Sequence, residues 1–126
     1  DDIRHVGSLT DSEKQAFFDK AIALVFPIDW PEPFGLVMIE SLACGTPVIA
    51  TPMGAVQEVI DHRKTGFIVE SVEEAVEALN QIPALSRDHC RREFERRFSS
   101  RAMAEGYLAA YQDYIQETSR VLLKGA

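Results

Sequence analysis

With 126 residues, a hydrophobic fraction of 46% and a charged fraction of 26%, the chain has the make-up of one ordinary globular domain, or of part of a larger one. A net charge of −7 argues against nucleic acid as a partner, and no apolar run approaches the roughly 20 residues that span a bilayer. Nothing at the N-terminus resembles a signal peptide, so a cytoplasmic location is expected, and the start at a charged pair without methionine reads as a cut end.

Four short β-rich segments alternate with helical patterns. The first, IRHVG at 3–7, precedes a capping box of Thr10 and Glu13 that opens a helix reaching about Ala21. ALVFP at 23–27 follows, then a helix from near Gly35 to Gly45, where Pro47 cannot continue it. PVIAT at 47–51 is the third strand, Gly54 to Ile60 a short helix, and GFIVE at 66–70 the fourth strand. Ser71 and Glu74 form a second capping box for a helix through about Gln81, which Pro83 ends. Beyond residue 84 the pattern is all helix, first Ser86 to about Phe98 and then about Ser100 to Leu123.

Such alternation predicts an α/β fold: a Rossmann-like parallel sheet of about four strands, helices on both faces, and a helical tail. Residues 1–83 are the predicted α/β core and 84–126 the tail of a single partial domain. Cys44 and Cys90 fall in different helices without CxxC or histidine spacing, which argues against a disulfide framework or a zinc site, so no metal is assigned. The cluster Arg87, Arg91, Arg92, Arg96 and Arg97, interleaved with acids, reads as a solvated helix face. Tyr107, Tyr111, Tyr114 and Val121 form a stripe at helical spacing, read as core or interdomain packing.

In open α/β sheets, ligands bind beyond the carboxyl ends of the strands. The turn PIDWPEPFGL at 27–36 is such a place, leading from a strand into the helix LVMIESLAC. Gly35 permits close backbone approach, and the first helical turn offers unpaired N–H groups and a positive dipole end to an anion. Glu32 lies in the loop before this helix start. Glu40, in an otherwise apolar run, leans back along the helix toward the same mouth. Two acceptor-only carboxylates flanking an anion site suit a ligand with hydroxyls at both ends and phosphate between, the layout of a nucleoside diphosphate sugar.

The run PEPFGLVMIESLACGTPVIATPMGAVQEVI, followed by KTGFIV, closely resembles the C-terminal half of family 4 (group 1) retaining glycosyltransferases of the GT-B fold. Their motif is two glutamates separated by seven residues, here Glu32 and Glu40, and the likeness is good over roughly residues 1–80. The resemblance implies an incomplete GT-B C-terminal domain, retaining transfer of a sugar from a nucleotide donor to an acceptor hydroxyl, and neither metal nor cofactor. Glu32 would be the catalytic residue that holds donor-sugar hydroxyls beside the reacting carbon. The amides of Phe34 and Gly35 would contact the sugar, those of Leu36 and Val37 the diphosphate, and Glu40 the ribose. The loop from about Gly7 to Leu9 would lie near the nucleobase.

Two departures qualify this. Gly54-Ala55 stands where the family carries two glycines, and the diphosphate-binding arginine and lysine belong to an upstream part outside this sequence. Helix-dipole stabilisation of about 0.3–2 kcal/mol is too small to hold a diphosphate tightly between two carboxylates. The isolated chain is therefore expected to bind donors weakly and to transfer nothing without its N-terminal partner domain. In the family's sheet two strands would lie between IRHVG and ALVFP, so these should pair directly or a second chain should fill the gap. A homo-oligomer through strand edges or the last helix, and a peripheral membrane location for the full-length enzyme, are further expectations. The rival reading is a non-catalytic nucleotide-sugar-binding or assembly module. Nucleotide, sugar and acceptor are left open by the sequence.

Overall fold

The computed structural model describes residues 2–124, with side chains through residue 120. It divides into two units, 1–94 and 95–126, with the sheet and its helices in the first.

Helix α1 (Asp11–Lys20) starts where the capping box places it, the Glu13 carboxylate accepting the Thr10 backbone N–H at 2.8 Å. Strands β1 (Leu24–Phe26), β2 (Val48–Ala50) and β3 (Gly66–Ile68) form a parallel sheet in the order β1-β2-β3. Leu24 stands opposite Val48, and Val48 opposite Gly66. Helix α2 (Leu36–Ala43) joins β1 to β2, and the one-turn helix α3 (Val56–Val59) lies between β2 and β3. In α4 (Val72–Gln81) the cap oxygen of Ser71 accepts the Glu74 N–H at 3.1 Å. The Glu74 carboxylate takes the N–H of Glu70 rather than that of Ser71. Pro83 falls in a 3-10 turn, after which come α5 (Arg87–Arg97) and α6 (Ser100–Lys124).

The α/β class holds, with one correction at the first strand. Residues 3–7 are not paired into the sheet, and Ile3 is 94% exposed. Direct pairing of this segment with β1 does not occur: apolar composition permits a strand, but a strand is stabilised by hydrogen-bonded neighbours, and residues 3–7 have none in the sheet. As a result β1 is an edge strand with Val25 half exposed.

The core packs around β2, whose three residues are all buried. Ile49 joins Phe67, Val69, Ala78 and Ile82 in one cluster, which docks α4 on that face. Period-two alternation turns Val48 and Ala50 the other way, and α2 packs on β1 and β2 through the fully buried Met38 and Leu42. Gly66 has no room for a side chain, since a Cβ would meet Val48 O at 1.9 Å.

Tyr107, Tyr111 and Tyr114 are not core residues of this chain: each is 59–71% exposed, with Tyr107 stacked on Tyr111 at 6.2 Å. Nothing in α6 covers them, because a lone helix buries a stripe only against another element. Val121 falls outside the described side chains.

Candidate active site

The loop from β1 to α2 is held at three points. The Thr51 hydroxyl donates to Ile28 O, the Ala55 N–H donates to Glu32 O at 2.8 Å, and Ile28 is buried. Gly54, at φ 59°, lies against the same loop: a Cβ there would come within 2.3 Å of Glu32 O and 2.5 Å of Glu32 N. The Pro-flanked turn is therefore fixed by backbone contact with the segment after β2.

This fixing orients the Glu32 side chain. Its Oε1 accepts the Gly35 N–H at 3.1 Å and its Oε2 accepts the Trp30 indole N–H at 3.2 Å. Gly35 adopts the left-handed conformation at the N-cap of α2, with φ 78°. A Cβ at Gly35 would lie 2.4 Å from the Met38 methyl, the end of a flexible side chain, so it is the backbone angle that calls for glycine there. Leu36 and Val37 head the helix, where no intrahelical carbonyl precedes their amides. Phe34 and Leu36 are exposed and Val37 half-buried, so this end of α2 is open to a ligand.

Glu40 occupies a different setting. Its Oε1 accepts from Lys14 Nζ at 2.9 Å, and the same ammonium lies 3.1 Å from Asp11. The hydrogen bond to Glu40, then that to Asp11, raises the Lys14 pKa. Glu40 lines a cavity of about 620 Å³ together with Lys14, Phe18, Cys44, Arg87 and Arg91. None of Glu32, Phe34, Gly35, Leu36 or Val37 lines it. The structure thus groups Glu32 with Gly35 at the helix start and sets Glu40 on the α1 side. The pairing of Glu40 with a lysine answers how a carboxylate is tolerated in so apolar a helix.

Several residues of this region were not singled out from sequence. Lys14 and Trp30 have no motif, since each acts on a glutamate from a neighbouring element. The arginine cluster needs correction at two positions. Arg87 donates to Ala21 O at 2.7 Å, Asp19 O at 3.1 Å, Cys44 O at 3.3 Å and Thr46 Oγ1 at 2.8 Å, while Arg91 donates to Ala43 O. These two bind the carboxyl ends of α1 and α2 rather than water alone. Among the described residues no group of three or more His, Cys, Asp or Glu is placed to hold a metal ion, and no helix is long and apolar enough to cross a membrane.

Comparison with known proteins shows the family. Over 93 residues the chain is 38% identical to a D-inositol 3-phosphate glycosyltransferase of Pseudarthrobacter chlorophenolicus, covering 70% of this chain and 22% of that protein. It is 32% identical over 94 residues to an N-acetyl-alpha-D-glucosaminyl L-malate synthase of Bacillus anthracis, covering 68% and 25%. It is 31% identical over 130 aligned residues to a glycogen synthase of Mycobacterium tuberculosis, covering 94% and 31%. The chain thus spans about a fifth to a third of the length of these curated relatives. The family described as glycosyl transferases group 1 matches residues 1–103, and the chain belongs to it.

Proposed function

We propose that this chain is the donor-binding part of a retaining glycosyltransferase that uses a nucleoside diphosphate sugar, of the hexosyl-transferring kind. The observation that carries the reading is the Glu32 carboxylate fixed by the Gly35 N–H at the open N-terminus of α2, with Glu40 on the same helix. Glu32 holds donor-sugar hydroxyls, the amides of Leu36 and Val37 face the diphosphate, and Glu40 accepts from the ribose. The Gly35 amide already serves Glu32, so its part is to hold the carboxylate rather than to meet the sugar itself. The upstream cations and the N-terminal acceptor domain belong to the longer enzyme, and without them this chain binds weakly and transfers nothing.

The relatives are named for D-inositol 3-phosphate, L-malate and glycogen, three dissimilar molecules. A segment common to all three is suited to the donor, so acceptor choice resides elsewhere in the longer protein. A second reading, an assembly module, is favoured by one feature only, the exposed tyrosines of α6.

Titration calorimetry of the chain against UDP-, GDP- and ADP-glucose tests the first reading. The expected result is binding to one nucleotide with a Kd of about 1 mM or weaker, close to −4 kcal/mol, lost in Glu40→Ala. Equal binding by the wild type and Glu40→Ala overturns the role of Glu40.

A further inference from the structure

The ion pair beneath the cavity rim bears on how Glu40 does its work. Lys14 sits in the first turns of α1, where its backbone N–H donates to Thr10 O at 2.8 Å, so the capped helix start determines where its side chain emerges. The ammonium reaches Glu40 Oε1 at 2.9 Å and Asp11 Oδ1 at 3.1 Å, and the Lys14 and Glu40 side chains are 34% and 40% exposed. Only one carboxylate oxygen of Glu40 is engaged: among the described residues Oε2 accepts no hydrogen bond.

We propose that Lys14 is a positioning residue, holding Glu40 by Oε1 so that Oε2 is presented to the ribose diol of the donor. The inference rests on the reading of Glu40 as the ribose acceptor. Two physical arguments support it. A glutamate has three side-chain torsions, and an untethered carboxylate at a cavity rim spreads over many rotamers, which a ligand would have to restrict on binding. A lysine ammonium donates and never accepts, so it can tether one oxygen without competing for the hydroxyl protons of a diol. The positive charge also offsets part of the carboxylate field that opposes an incoming diphosphate. Exposed ion pairs contribute little to folding, so the pair's consequence is orientation more than stability.

The test is ligand-observed saturation-transfer NMR on the chain, titrating UDP, GDP and ADP alongside their 2′,3′-dideoxy counterparts. The wild type is expected to prefer the ribonucleotide of one base by about tenfold, the worth of a hydrogen bond to a charged acceptor. Lys14→Met should reduce that preference to about threefold or less, and Lys14→Arg should restore most of it. In a Glu40→Gln background, Lys14→Met should change nothing further, since it acts through Glu40. Lys14 is part-exposed and methionine is a good helix former, so the fold is retained; thermal melts check this, with Lys14→Gln as the second variant. A Lys14→Met protein with the wild-type preference overturns the proposal, as does an equal loss in the Glu40→Gln background. No ribose preference in the wild type strikes the Glu40 reading itself and the Lys14 role with it, an outcome visible without any Lys14 variant.

Discussion

Gly54 and Gly106 make opposite cases at the scale of one residue. Gly54 has φ 59°, and a Cβ would strike the backbone of Glu32 and Pro31, whereas nothing lies within 4 Å of a Cβ at Gly106 on α6. Gly54→Ala should cost about 2 kcal/mol or more, from the left-handed backbone and the displaced loop together. Gly106→Ala should gain up to about 1 kcal/mol, because glycine weakens a helix interior. Thermal denaturation of the two variants checks both signs. Gly54→Ala should also abolish donor binding, since the backbone that moves is that of Glu32. The sequence marks Gly54 as the start of a short helix and the Gly54-Ala55 pair as a departure from the family. It does not reveal that this residue touches Glu32, because contact between segments so far apart leaves no local signature. Glu32 and Glu40 were legible through their motif; the donors that hold them, Trp30 and Lys14, were not.

Helix boundaries were read well where the signal was local. Thr10 with Glu13, and Ser71 with Glu74, mark the starts of α1 and α4 from side chains three residues apart. The carboxyl ends of α1 and α2 are different, because the group that serves them comes from α5. Arg87 finds its partners 41 to 69 residues away, so as sequence it looked like one more cation on a solvated face. At a helix carboxyl end the free carbonyls and the negative dipole both favour a cation. Arg87→Ala should therefore lower stability by about 2 kcal/mol in urea denaturation. Arg87→Lys should recover less than half of that, since an ammonium cannot reproduce a planar fork spread over two helix ends.

For the whole molecule, the apolar strand segments and their alternation with helices were enough to give the α/β class. The failure at residues 3–7 has a simple cause: apolar composition permits a strand, while hydrogen-bonded neighbours make one. Ile22 and Val25, 70% and 50% exposed beside the β1 edge, are the matching surface on the folded side. Global stability should fall in alkali. Burial pushes the Cys90 thiol up from about 9 to about 11, so the folded state retains a proton that the unfolded chain gives up. Its contribution is complete below about pH 9 and declines toward about pH 11, by on the order of 2 kcal/mol. Lys14, also raised, acts with the same sign, its contribution being lost as pH climbs through its own higher value. Denaturant titrations from pH 7 upward should show the decline, and Cys90→Ala should flatten its earlier part.

Trp30 is the chain's single tryptophan, and its indole N–H is tied to the Glu32 carboxylate. Light absorbed by indole in this protein is therefore absorbed at one address, half exposed and one hydrogen bond from the first glutamate of the pair. A ligand that binds that carboxylate changes the charge and hydrogen bonding felt by the indole, whether it displaces the N–H or shares the oxygen with it, and the emission colour should shift with it. The protein carries its own optical gauge at the helix start, with no label to attach.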